Sequence, residues 1–312
     1  MINHGAMQVA LVGSTASGKS ALAHALALES NGDIEIIAVD AMTVYRGMDI
    51  GTSKPTKAEQ KEVAYHCLDL VDPSEEFTVA QYQQEARDVA EMIRNLGSMA
   101  LYVGGTGLYG RAVIDNMDLP GQFPVLRQEL EERASTELPA MYAQLSELDP
   151  LGASRMEPTN ARRIVRALEV TLGSGRPFSS YGDGLLTYGP VRVVQVGLSP
   201  NFEELDQKIE SRFHQMMESG LLSEVETIAN SPLGFSRTAA QAVGYKELLK
   251  HLRGEVTLDE AVQEAIVQSR RLARRQRSWF RRDPRIEWFE NPDAAGERIL
   301  EVLNSPDGFV RD

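Results

Sequence analysis

Cysteine is nearly missing from this sequence: Cys67 is the only one in 312 residues. One thiol excludes an internal disulfide and a protein-only zinc site, and it suits a reducing compartment, so a cytoplasmic location is expected. No apolar run approaches the ~20 residues of a membrane span, so no membrane partner is expected. Met1 to Met7 carry neither a cationic head nor an apolar signal core, so export is not expected. Internal repeats and low-complexity tracts are absent. Basic charge is scarce, with 32 Lys and Arg against 45 Asp and Glu and a net charge of −13. Taken alone, that balance argues against a nucleic-acid partner. Net charge describes the whole surface, though, and a local basic stripe still binds phosphate. The last third holds such a stripe in Arg270, Arg271, Arg274, Arg275, Arg277, Arg281, Arg282 and Arg285, interrupted only by Asp283. The remaining composition, 42% hydrophobic and 25% charged, is ordinary for one large domain or two modest ones.

Apolar runs at Gln8–Gly13, Glu35–Asp40, Ala100–Gly105 and Arg192–Ser199 read as buried strands. Helical patterns separate the first three, an alternation that implies a parallel sheet with helices on its faces. One helix is predicted to start at Thr78, with Gln81 completing a capping box, and to end near Gly97. From Met117 to Tyr188 the texture changes. A loop, Asp118 to Pro124, leads into helical patterns at Val125–Ser135, Pro139–Leu148 and Thr159–Leu172, and Gly- and Ser-rich sequence from Gly173 to Gly189 closes the region. The expected fold is α/β, a phosphate-loop NTPase-like core with a parallel sheet flanked by helices, formed by 1–117 and 190–312. A small all-helical insertion domain, 118–189, is expected to contact nucleic acid. Past Ser199, Leu205, Ile209, Phe213 and Met216 keep helical spacing, and Gly220 suits a C-cap. A long helix is predicted from Thr257, with Glu260 as its capping partner, to a stop before Pro284, roughly 40 Å at 1.5 Å per residue.

Gly13-Ser14-Thr15-Ala16-Ser17-Gly18-Lys19-Ser20 matches the G-x-x-x-x-G-K-[ST] phosphate loop in full, after a strand and before a helix as its mechanism requires. Its glycines let backbone amides converge on phosphate oxygens, and the helix N-terminus adds partial positive charge. Lys19 is placed to reach the terminal phosphate, and the Ser20 hydroxyl to hold Mg²⁺. The motif specifies a diphosphate or triphosphate without specifying ATP. Most chains with this loop bind nucleotides, which makes a small-molecule kinase or NTPase the default. Asp40 ends the second apolar run. In a parallel sheet that end faces the ligand crevice, where the residue either binds Mg²⁺ as an NTPase acid does or caps the next turn.

Asp40-Ala41-Met42-Thr43-Val44-Tyr45-Arg46-Gly47-Met48-Asp49-Ile50-Gly51-Thr52-Ser53-Lys54-Pro55 resembles the signature of tRNA dimethylallyltransferases, the IPP transferase family. So do the loop's Thr-Ala-Ser-Gly-Lys core and, in order, His66-Cys67-Leu68-Asp69, Val71-Asp72-Pro73, Gly104 to Tyr109, Asn160 to Arg163 with Arg166 to Val170, Arg212-Phe213, Gly244 to Glu247, and Arg274-Arg275-Gln276 with Trp279-Phe280. The resemblance spans roughly residues 8 to 290. The family usually has Pro at the position of Ser14 and often His at that of Cys67. The zinc-finger extension of its eukaryotic members is absent, which points to a bacterial-type enzyme.

The resemblance implies that the loop grips the diphosphate of dimethylallyl diphosphate while the N6 amine of a tRNA adenosine attacks the donor's first carbon. It implies Asp40 as the general base, Arg212 on the diphosphate and Thr106 lining the reaction channel. A bland reading of Arg212 is a solvated helix arginine paired with a neighbour such as Glu210. The implied tRNA contacts are Asp40, Ala41, Met42, Thr43, Thr106, Arg127, Arg162, Arg163, Ile164, Val165, Arg166, Gln241, Ala242, Val243, Gly244, Tyr245 and Lys246. The arginine stripe adds Arg274 and Arg277, read as a phosphate track because no matching acids interrupt it. The expected partners are tRNA, at its anticodon stem-loop, and dimethylallyl diphosphate, with Mg²⁺ as cofactor and the chain a monomer. Competing readings are a metabolite kinase, which would need neither the insertion nor the arginine helix, an adenylate isopentenyltransferase acting on free nucleotides, and an NTP-switched RNA-binding module, which leaves the Asp40 segment idle.

Overall fold

Residues 8–181 and 187–305 are described by the computed structural model; the expectations for residues 1–7 and for part of the Gly- and Ser-rich stretch lie outside the described residues. The described residues of Met1–Asp115 and Pro190–Asp312 make one compact unit, and those of Asn116–Gly189 another.

The first unit opens with β1 (Gln8–Gly13), α1 (Lys19–Glu29), β2 (Ile34–Val39), the single turn α2 (Glu59–Glu62), β3 (Tyr65–His66), α3 (Val79–Leu96), β4 (Met99–Gly104) and α4 (Gly107–Ile114). The second unit is helical: α5 (Pro124–Leu148), α6 (Pro150–Ser154) and α7 (Ala161–Ser174). The chain then returns to the first unit with β5 (Val193–Leu198), α8 (Phe202–Glu218), α9 (Leu221–Ala229), α10 (Tyr245–Leu252), α11 (Leu258–Phe280), β6 (Ile286–Phe289) and α12 (Pro292–Leu303).

The six strands form one all-parallel sheet in the order β3-β2-β4-β1-β5-β6. Both faces are covered, which explains why its strands read as continuous apolar runs. Ala10 and Val12 of β1 face one core with Tyr82, Tyr109 and Phe280, while Val9 and Leu11 face the other with Leu26 and Ile299. β1 sits at the centre between β4 and β5, so its carboxyl end, those of its neighbours and that of β2 converge on one edge. Ligands bind at that edge in such sheets.

The four expected strands lie within a residue of their predicted ends. Two strands went unforeseen. β3 has only two residues, and β6 follows Pro284 and is held by register pairing of Gln195–Leu198 with Ile286–Phe289. The capping boxes at Thr78 and Thr257 are both formed. The expected segments Val125–Ser135 and Pro139–Leu148 are two helical stretches of α5 on either side of a kink at Glu137, two residues before Pro139, whose ring and missing amide interrupt the ladder. Gly220, expected as a C-cap, is the left-handed hinge between α8 and α9 (φ 98°). α11 has 23 residues, which makes it about 35 Å long.

In the helical unit α5 and α7 bury Leu130, Met141, Leu145, Ile164, Val165 and Leu168. Its most buried acid is Glu169, fully enclosed, which accepts the Phe123 amide at 2.9 Å and meets Arg166 at 2.9 Å and Arg127 at 3.4 Å. No helix among the described residues is long and apolar enough to cross a membrane.

Candidate active site

The phosphate loop turns from β1 into α1 through Gly18, left-handed at φ 93°, which leaves the first-turn amides of α1 without intrahelical acceptors. Lys19 folds back to donate to the Ser14 carbonyl at 3.0 Å. Burial lowers its pKa to about 8, with the Asp40 charge pushing it up and Arg212 pushing it further down. The Ser17 hydroxyl is buried and has no hydrogen-bond partner among the described residues. A lysine short of a counter-charge and an unmet hydroxyl suit an incoming anion.

Asp40 follows β2. Its Oδ1 accepts the amides of Met42 at 2.8 Å and Thr43 at 3.4 Å, so the turn-capping role is real. Its Oδ2 accepts from the Thr106 hydroxyl at 3.4 Å, and that hydroxyl in turn accepts the Ala41 amide at 3.2 Å. One oxygen therefore holds the loop and the other meets the Thr106 hydroxyl. The cap and the catalytic reading are served by different atoms of one carboxylate.

Arg212, on α8, is half-buried in the same cavity, and desolvation lowers its pKa. The expected alternative, pairing with Glu210, does not occur, because Glu210 is taken by Arg270 at 2.5 Å. Among the described residues Arg212 has no ion pair. The cavity, of about 380 Å³, brings together Thr15, Lys19, Ser20, Asp40, Arg212 and Gln276. Ile36, Ala38, Phe213 and Met216 add apolar surface to its lining.

The other expected contact residues divide. Arg162, Arg163, Gln241 and Lys246 are exposed, and Val243 lines the cavity. Ile164 and Val165 lie in the helical core, and Arg127 and Arg166 are bound to Glu169. Tyr245 is fully buried with its hydroxyl donating to Glu224, while Ala242 is buried. Gly244 donates its amide to Glu247 at 2.8 Å. The arginine stripe is corrected. Its acids come from α8, where Asp206 binds Arg274 at 2.7 Å and Glu210 binds Arg270. Arg277 donates to the Pro200 carbonyl at 3.4 Å and stacks on Phe202 at 4.2 Å. The residues of that helix end left exposed without ion pairs, among the described residues, are Arg271, Arg275, Arg281 and Arg282. Acids on a separate helix invert a charge pattern read along one helix alone.

Two supporting contacts went unread in the sequence. Glu224, on α9, accepts the amides of Asp49, Ile50 and Gly51 at 3.0, 2.8 and 3.2 Å, and so anchors the segment that follows Asp40. Gln276 accepts the Thr15 amide at 2.8 Å, tying α11 to the phosphate loop.

A family model described as IPP transferase matches residues 43–283. A tRNA dimethylallyltransferase of Paenarthrobacter aurescens is 43% identical over 300 residues, covering 95% of each chain. One of Salinispora tropica is 45% identical over 293 residues, covering 94% of this chain and 90% of its own. The solved full-length tRNA isopentenylpyrophosphate transferase of Bacillus halodurans superposes with a TM-score of 0.68 at 35% identity, covering 96% of this chain and 97% of that one. Sequence and fold together show that this chain belongs to the IPP transferase family.

Proposed function

We propose that the chain transfers a dimethylallyl group from dimethylallyl diphosphate to N6 of the adenosine 3′-adjacent to the anticodon in tRNA, releasing diphosphate. The observation that carries this reading is a single cavity lined by the cationic phosphate loop, Arg212 and Asp40, whose Oδ2 is not used in capping the turn. The N6 lone pair forms a bond to the donor's first carbon as the carbon–oxygen bond to diphosphate breaks, and that bonding pair leaves on the diphosphate. Asp40 Oδ2 takes the amine proton, and the Thr106 hydroxyl beside it orients the base. Lys19, Arg212, the Ser17 hydroxyl and the α1 amides hold the charge that develops on the leaving group. The apolar part of the lining suits a five-carbon chain.

The exposed Ser20 hydroxyl at the start of α1 would hold Mg²⁺. No group of three His, Cys, Asp or Glu that could cage a metal exists among the described residues. That fits an ion taking most of its ligands from diphosphate and water. Bound there, it supplies charge neutralisation for the leaving diphosphate.

The tRNA is held in this reading by Arg162 and Arg163 of the helical unit and, on the α/β unit, by Gln241, Lys246 and the outward arginines of α11. The target adenosine leaves its stack to reach Asp40, at least cost in a single-stranded loop. The chain acts as a monomer in the cytoplasm. Incubation with tRNA and either labelled dimethylallyl diphosphate or γ-labelled ATP tests the reading. The prenyl label is expected to move to tRNA, and transfer of the ATP label instead would overturn it.

A further inference from the structure

Gln276 belongs to none of the groups assigned above, yet its side chain sits in the cavity with its Oε1 on the Thr15 amide, across 261 residues of sequence. Its placement is tight. A Cβ built on Gly105 would lie 2.7 Å from Gln276 Nε2, and one built on Gly107 would run into the Trp279 indole. Gln276 and Trp279 are three residues apart, on one face of α11. The glycine turn after β4 is thus a docking platform for that face, and the carboxamide is seated in it.

Thr15 is the third residue of the phosphate loop, on the β1 side of Ala16. The first-turn amides of α1 lie at the other end, while the Lys19 ammonium reaches back to the Ser14 carbonyl beside Thr15. A polyphosphate anchored on those amides and running toward Lys19 gains an additional donor as it lengthens only if the Thr15 amide is open. Here Gln276 holds that amide and fills the space above Gly105. We propose that Gln276 is a specificity-determining residue that closes the phosphate loop to a third phosphoryl group, so that a loop shared with triphosphate-binding proteins accepts a diphosphate. The inference rests on the diphosphate reading of the site and deepens it, because it gives a full nucleotide-type loop a reason to prefer a diphosphate.

The test is calorimetric binding of inorganic diphosphate and inorganic tripolyphosphate, with Mg²⁺, to the full chain as wild type, Gln276→Ala and Gln276→Glu. The wild type is expected to prefer diphosphate. In Gln276→Ala the freed amide and space should raise tripolyphosphate affinity about ten- to hundredfold, the value of one hydrogen bond to a charged group. Diphosphate affinity should stay within about threefold. Gln276→Glu keeps an acceptor on Thr15 and should keep the preference while weakening both anions, so it remains informative if the alanine variant folds poorly. A wild type that does not bind diphosphate overturns the donor reading and the inference together. Normal diphosphate binding with unchanged selectivity in Gln276→Ala overturns the inference alone. So does an equal gain for both anions, the result for a side chain that any phosphate displaces, or a glutamate variant that gains tripolyphosphate.

Discussion

Replacing Asp40 by asparagine separates the two jobs of its carboxylate. The Oδ1 oxygen accepts the Met42 and Thr43 amides. Asparagine retains a carbonyl oxygen for that turn, so the 40–54 segment should keep its shape. The atom beside Thr106 becomes an amide nitrogen, which cannot take a proton from N6. A general base is worth about 10²–10⁴ in rate. At about 1.4 kcal/mol per decade, the transfer barrier rises by about 3–5 kcal/mol. Asp40→Ala should show the same rate defect and also lose the turn cap, lowering stability by about 1–2 kcal/mol for the two lost acceptor interactions. The assay is single-turnover transfer with enzyme in excess, alongside donor binding and urea unfolding of each variant. Normal transfer by Asp40→Asn at full donor occupancy would refute the assignment. A rate defect in the alanine variant alone would assign Asp40 to the turn and not to the proton.

Lys19 gives a pH signature. With its pKa lowered to about 8 by burial, the binding-competent ammonium is present below that value and lost as pH rises through it. Donor affinity should therefore fall above pH 8 with uptake of a proton on binding, and Lys19→Ala should bind weakly with a flatter profile, both read by calorimetry in buffers of different ionisation heat. Removing Arg271 and Arg275 should weaken tRNA binding and reduce the slope of log affinity against log salt by about 1.4, at about 0.7 per phosphate contact. The same measurement on a double variant of Arg270 and Arg274, already bound to Glu210 and Asp206, should leave that slope nearly unchanged; the opposite ranking would show that those ion pairs open for tRNA. In the helical unit, Glu169→Gln keeps an acceptor for the Phe123 amide but removes the buried charge facing Arg127 and Arg166, which retain Glu131 and the Pro120 carbonyl as partners. It should cost about 2 kcal/mol in chemical unfolding, and an unchanged midpoint would show that the cluster adds nothing to stability.

Local signals were legible wherever a residue's partner lies within a few positions. The β1 strand, the phosphate loop and the capping boxes at Thr78 and Thr257 all depend on short-range spacing, and the chain adopts them as read. What escaped was long-range. β6 is a four-residue run whose pairing with β5 no periodicity announces. Glu224 reaches Asp49 across 175 residues, and Gln276 reaches Thr15 across 261. The arginine stripe misled for the same reason, since Asp206 and Glu210 neutralise two of its members from a separate helix. Arg212 is the converse case. Its nearest acid in sequence, Glu210, is turned to another partner, and its isolation in the cavity emerges only once α8 and α11 are packed together.

In the proposed reaction one cavity joins a diphosphate-binding loop to a carboxylate that accepts the proton of a tRNA adenosine. The most direct test is to incubate the protein with unmodified tRNA, Mg²⁺ and isotope-labelled dimethylallyl diphosphate, digest the tRNA to nucleosides, and locate the label by mass spectrometry. One five-carbon unit is expected on N6 of the adenosine 3′-adjacent to the anticodon, with one diphosphate released per transfer and no label transferred by Asp40→Asn within the wild-type reaction time. Label on another atom or nucleotide, or equal transfer to free adenosine monophosphate, would contradict it.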